Sequence, residues 1–317
     1  MSDGNITSHN VFYFSQIATN VSKVFCSSET VWITKTDGTS WSCGFNTGGD
    51  CGTGSSATER IGTFTQLPVS NIIDIKQGRY RSYWALTSGG TLYNWGTASG
   101  SSSKNYAVSI VPTQRLTDVR AFSVGRDNNY SNAWAVKSDG TIWGCGDNQF
   151  GQQAMWGTSS SAIQNLTQRG TGFVDVVCGD DTTHGLKSDG TLWFCGARGK
   201  GLQGDGDTTG NQTGFKQTLT GVSKIFYSSY SLYALKTDGT LWSTGDNSQG
   251  QLGAGSNAYT ISTWGQRLTN VKSLSCNMNV AWALKNDNTA WGCGQGSNGN
   301  QSSGSTDKVT TFTQRVL

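Results

Sequence analysis

The stretch "ALKTDGTLWSTGDNSQGQLG", residues 234–253, decides the fold. It holds an alternating apolar strand, an Asp-Gly turn, a second strand ending at Trp242, and a run of glycines. The glycine run has two readings, a phosphate-binding loop or the corner of a repeated unit, and periodicity separates them. The turn recurs at Asp37-Gly38, Gly89-Gly90, Asp139-Gly140, Asp189-Gly190, Asp238-Gly239 and, degraded, Asp287-Asn288, spaced 49 to 52 residues apart. That is a six-fold repeat.

Each unit reads as four short strands. A first strand such as "NVKSLSC" (270–276) leads to a second ending in "WALK" or "YALK". The Asp-Gly pair predicts a type I′ hairpin with positive φ at both central residues. "TLW" or "TIW" opens the third strand, the glycine loop follows, and a fourth strand carries a Thr-Gln-Arg-like signature around Gln66, Gln114, Gln168, Gln217, Gln266 and Gln314. Four antiparallel strands per unit make one blade of a β-propeller. The fold expected is therefore all-β, a six-bladed propeller filling residues 1–317 as a single domain. A seventh copy of the signature, at Gln16, predicts that the ring closes by pairing of N- and C-terminal strands.

The string Gly245-Asp246-Asn247-Ser248-Gln249-Gly250-Gln251-Leu252-Gly253, with Asp238-Gly239-Thr240-Leu241-Trp242 before it, resembles the repeat of the regulator of chromosome condensation family. Val177-Cys178-Gly179 and His184 resemble it too, and degraded loops begin at Gly44, Gly146, Gly196 and Gly294. The resemblance covers nearly the whole chain. It departs in repeat number, since the founding propeller has seven blades, and in placing Cys where the family prefers a second Trp. For the founding member it implies regulation of a small GTPase through a loop wedge.

Composition narrows the function classes. Charged residues make up 14% of the chain, against roughly 25% in an ordinary globular protein. A formal charge of +3 over 317 residues is too small for phosphate-driven binding, so no nucleic acid is expected. No signal peptide and no run of 18 apolar residues is visible, so no membrane insertion is expected.

Chemistry-bearing motifs yield to the repeat. "GARGKGLQGDG" (196–206) lacks the Lys-Ser/Thr of a P-loop, because Gly201 follows Lys200. "DGDTTGN" (205–211) starts like a calcium loop, but Lys216 stands at its twelfth position. Cysteines of the first and third strands lie about two strand spacings apart, roughly 9.6 Å, too far for a disulfide. All eight are therefore read as buried thiols packing as small apolar residues. His184 aligns with Trp32, Trp84, Trp134, Tyr233 and Trp282, which makes it a packed core imidazole. No catalytic, metal or cofactor residues are assigned, and no enzyme is expected.

The loops after strands one and three share one face, where the units differ. That face carries Arg79, Tyr80, Arg81, Arg126, Tyr130, Trp156, Arg198 and Lys200, and so places Arg, Tyr and Trp together, the types enriched at binding hot spots. A four-residue insertion enlarges the third unit's loop at 125–132. The leading expectation is a non-enzymatic binding or structural propeller. Its place is taken to be a virus or phage particle, as a surface or tail-associated adhesin, on a virion or extracellular surface, facing other virion subunits or a host receptor or glycan. Two alternatives stand: a guanine-nucleotide exchange regulator of a small GTPase, and a lectin stacking sugars on Trp156, Tyr80 and Tyr130.

Overall fold

A computed structural model describes residues 16–27, 29–56, 59–78, 81–96, 109–125, 132–179, 181–297 and 307–315. They form six antiparallel sheets of four strands, blades one to six, within 21–66, 72–116, 119–170, 173–219, 222–268 and 271–315. Strands follow one another in chain order across every sheet. In blade five they are Val222–Ser228, Ser231–Lys236, Leu241–Asp246 and Thr260–Leu268. Among the described residues no helix is long and apolar enough to cross a membrane.

The second-to-third-strand hairpins differ from the type I′ expectation. Lys236 N–H donates to Thr240 O at 2.9 Å and Gly239 N–H to Lys236 O at 3.0 Å, while only Gly239 takes a positive φ, +78°. This is a three-residue loop with glycine at its left-handed position, and the resulting bulge re-aims the next strand. Asn288, at φ +64°, takes that place in blade six.

The loop keeps Asp238 right-handed because its carboxylate has another task. Asp238 Oδ1 accepts both the backbone N–H of Thr240, at 2.8 Å, and its hydroxyl, at 2.6 Å; Trp242 Nε1 then donates to Thr240 Oγ1 at 2.9 Å. Lys236 Nζ lies 4.3 Å from the centre of the same indole. The brace recurs around Asp37, Asp139, Asp189 and Asp287. Thr240→Val removes both hydroxyl bonds and is expected to cost about 1 kcal/mol, measured by urea unfolding.

Apolar clusters span consecutive blades. Trp32 and Tyr83 join blades one and two, Trp84 and Phe122 blades two and three, Trp134 and Phe173 blades three and four. Phe194 and Ile225 join blades four and five, and Tyr233 and Leu274 blades five and six. Among the described residues none of these clusters joins blade six to blade one. Val24, in the register of buried Phe122, Val176, Ile225 and Leu274, is 60% exposed.

The expected ring closure by terminal strands is overturned. Every sheet is built from one continuous stretch, and Val309–Arg315 pairs with Ala290–Gly294 inside blade six. Blade six supplies its own fourth strand, so no third strand is left open for the copy at Gln16. Gln16 and Ile17 lie outside any strand.

The cysteine expectation also needs a correction. All eight thiols are free, but Cys26 is exposed and Cys276 half-buried. Cys26 ends the first strand of blade one, the strand that carries exposed Val24. Elsewhere burial keeps thiols protonated: it pushes Cys51 up to about 12.

Candidate partner-binding face

Antiparallel order puts the loops after strands one and three on one side of every blade and the Asp-Gly turns on the other. The glycine loop of blade five shows what these corners do. Asp246 Oδ1 accepts the Ser248 N–H at 3.2 Å, Gln251 Oε1 accepts the Gln249 N–H at 2.9 Å, and Asn247 Oδ1 accepts the Leu252 N–H at 3.2 Å. Gly250 and Gly253 donate to Asn247 O and Gly250 O at 2.9 and 3.0 Å. A phosphate cradle needs converging free N–H groups, and here they are already engaged.

What remains of the loop latches onto the next blade. Gly255 N–H donates to Thr310 O of blade six at 2.8 Å, and Leu252 is buried in the core between the two blades. Gln251 O accepts the Tyr233 hydroxyl at 2.7 Å and the Cys293 thiol at 3.1 Å. The same latch joins Gly54 to Ile110 O, Trp156 to Thr213 O and Gly206 to Ser262 O. The opening glycine run is therefore a joint between blades.

The loop at 196–206 behaves likewise, and its charges are internally paired. Arg198 Nη1 lies 2.7 Å from Asp207 and its Nη2 3.0 Å from Asp205, while Lys216 Nζ lies 3.2 Å from Asp205. Gln203 Nε2 also donates to Asp205. Asp207 sits below the usual carboxylate range because Thr209 donates its N–H and hydroxyl to it, with Arg198 adding to the effect. The two carboxylates that mimic a calcium loop thus face a guanidinium and an ammonium.

His184 is buried in the aromatic position read from the repeat. Its Nε2 lies 3.2 Å from Leu202 O, which can only accept, so the proton is on Nε2. Nδ1 is buried without a partner, and Phe194 packs 5.1 Å away between ring centres. Burial pushes its pKa down to about 4, and the bond to Leu202 O offsets this only in part.

Of the residues read as a partner face, Arg79, Tyr80, Arg126 and Tyr130 lie outside the described residues, as does most of the loop insertion. Arg81 stacks on Phe45 at 4.0 Å and approaches Glu29 and buried Asp50, each at 3.9 Å, clipping blade two to blade one. Arg198 shapes its own loop, as above. Lys200 is exposed, its Nζ 5.5 Å from the Tyr230 ring. Trp156 is 79% exposed and neighbours exposed Met155. So Lys200 and Trp156 face solvent, whereas Arg81 and Arg198 act within the scaffold. Sequence reasoning missed the backbone on which Trp156 stands, although the glycines at the aligned positions were visible.

The sequence model of the regulator of chromosome condensation (RCC1) repeat matches residues 222–251. A search of curated proteins gives no match. Among solved structures, the chain is similar to one in the crystal structure of Kap60 bound to yeast RCC1 (Prp20), at TM-score 0.73 and 16% identity, covering 94% of this chain and 75% of that one. Human WBSCR16 is similar at TM-score 0.70 and 16% identity, over 93% of this chain and 83% of that one. Prp20p from Saccharomyces cerevisiae, in a structure whose description names its binding to Gsp1p and histones, gives TM-score 0.71 and 16% identity, over 91% and 75%. The repeat match and these neighbours overturn the expectation of a virion component, adhesin or tail fibre and of a place on a virion or extracellular surface. Repeat and fold agree: the chain carries a regulator of chromosome condensation repeat at 222–251 within a β-propeller fold shared with these structures.

Proposed function

We propose that this propeller is a non-enzymatic protein-binding scaffold that regulates guanine-nucleotide exchange on a small GTPase through the face carrying the glycine loops. One observation carries the reading: the RCC1 repeat lies at 222–251 within a fold shared with Prp20p, a protein described as binding Gsp1p. The physical design agrees with it. Loops held on a rigid scaffold are the usual carriers of recognition, and here the described glycine loops of blades one, three, four and five are fixed by their own polar side chains and by a latch to the next blade.

Within the face, Trp156 and Lys200 make the contact. Arg81 and Arg198 hold the loops that present it, and Arg79, Tyr80, Arg126 and Tyr130 extend it. The test uses Gsp1p loaded with a fluorescent GDP analogue. Micromolar propeller is expected to accelerate release at least about tenfold, a change of about 1.4 kcal/mol in barrier. Release at the intrinsic rate would refute the exchange reading.

A further inference from the structure

We infer that Trp156 is a preset anchor for an apolar segment of a partner protein, held ready by a backbone that three sibling loops give to glycine. The inference deepens the protein-binding reading above. It begins with register: the glycine loops of blades one, three, four and five superimpose residue for residue, and Trp156 occupies the position of Gly54, Gly206 and Gly255. Those glycines have φ of +90°, +90° and +67° and each passes its N–H to the next blade. Trp156 keeps both features, with φ +58° and a 2.8 Å bond to Thr213 O. Ala154, in the register of Gly52, Gly204 and Gly253, is left-handed as well, at φ +53°.

A bulky residue at positive φ is a genuine outlier, and such strain persists only where the surroundings impose it, commonly at ligand clamps and switches. Packing does not account for this tryptophan. Its side chain contributes little to the core, being 79% exposed, and glycine performs the same latch in three sibling loops.

The indole is nevertheless placed. It lies over Gly214 in the outer strand of blade four, where an added Cβ would come within 2.5 Å of the ring. One ring face therefore rests on backbone and the other is open, with exposed Met155 alongside. Beside Gly214 in that strand stand Thr213, whose carbonyl takes the Trp156 N–H, and Phe215, while the strand's one charged side chain, Lys216, is already paired with Asp205 at 3.2 Å. An exposed aromatic beside an exposed Met, with the neighbouring charge already paired, is the layout of an interface hot spot, and it fits an apolar segment better than a charged one.

Two variants separate anchoring from packing. Trp156→Gly restores the residue used by the siblings and relieves the left-handed strain, so Tm is expected to rise by about 2 °C. Gly214→Ala leaves the loop intact and lifts the ring from its seat. Each protein is panned against a random peptide library displayed on phage, with Gsp1p binding measured in parallel. Wild type is expected to enrich peptides rich in apolar side chains, with affinity at least tenfold lower for Trp156→Gly and several-fold lower for Gly214→Ala. A fall in Tm for Trp156→Gly would assign the indole to packing and overturn the inference. So would wild type and Trp156→Gly enriching the same peptides equally, or neither enriching any. If Gsp1p binds both proteins equally, the GTPase reading survives and the anchor fails; if Gsp1p binds neither while peptides separate them, the reverse holds.

Discussion

Gly245→Ala is expected to lower stability by about 4 kcal/mol, near the upper end for a single substitution. Gly245 is the last residue but one of the third strand of blade five, at φ +112°, a region L-residues rarely occupy. An added methyl would fall inside contact distance of the Tyr230 carbonyl O and 2.8 Å from Leu202 Cδ2. Neither neighbour has room to yield, since Tyr230 O accepts the Asp246 N–H at 2.8 Å and Leu202 is fully buried between blades four and five. Gly44, Gly96, Gly196 and Gly294 repeat the geometry. Gly157, with open space around its Cβ direction, is the control. A shift in urea midpoint for Gly245→Ala no larger than for Gly157→Ala would show that the joint between blades is not rigid.

The second large effect is a dependence of stability on pH centred on His184. Its folded-state pKa, about 4, lies below the ordinary value of 6.5, so the folded protein favours the neutral ring more than the unfolded chain does. The stability difference is fully present above pH 6.5 and is lost as pH falls towards 4. One pKa unit is about 1.4 kcal/mol, so the total is on the order of 3 kcal/mol. The turn aspartates, held below 3.8 chiefly by the hydroxyls of their following threonines, act in a separate and lower window. His184→Tyr copies blade five, where the Tyr233 hydroxyl donates to Gln251 O, the counterpart of Leu202 O. Urea unfolding at pH 7 and pH 4.5 is expected to show a large loss for wild type and little for the variant. Equal losses would place the titrating group elsewhere.

The repeat was legible because its signals are local. Asp-Gly turns, strand alternation and the Trp that follows need only a few residues to declare themselves, so six blades of four strands were readable from 317 letters. The turn geometry was less so. Asp-Gly serves two hairpin types, and the choice between them came from Thr240 and Trp242 completing a hydrogen-bond chain with Asp238. The candidate face was half legible: residue types marked Trp156, Lys200, Arg81 and Arg198 alike, but an arginine's partners are set across blades. Arg81 meets Asp50 from 31 positions earlier in the chain.

The sequence by itself determined the blade: its strands, its turn, its glycine corner, and the burial of His184 in an aromatic register. Only the tertiary structure decided how blades join. Whether a terminal strand closes the ring depends on an unfilled third strand, and blade six has none because its own fourth strand occupies it. Whether Cys26 and Val24 are buried depends on a neighbouring blade packing against them, a non-local contact that periodicity treats as the same in every unit.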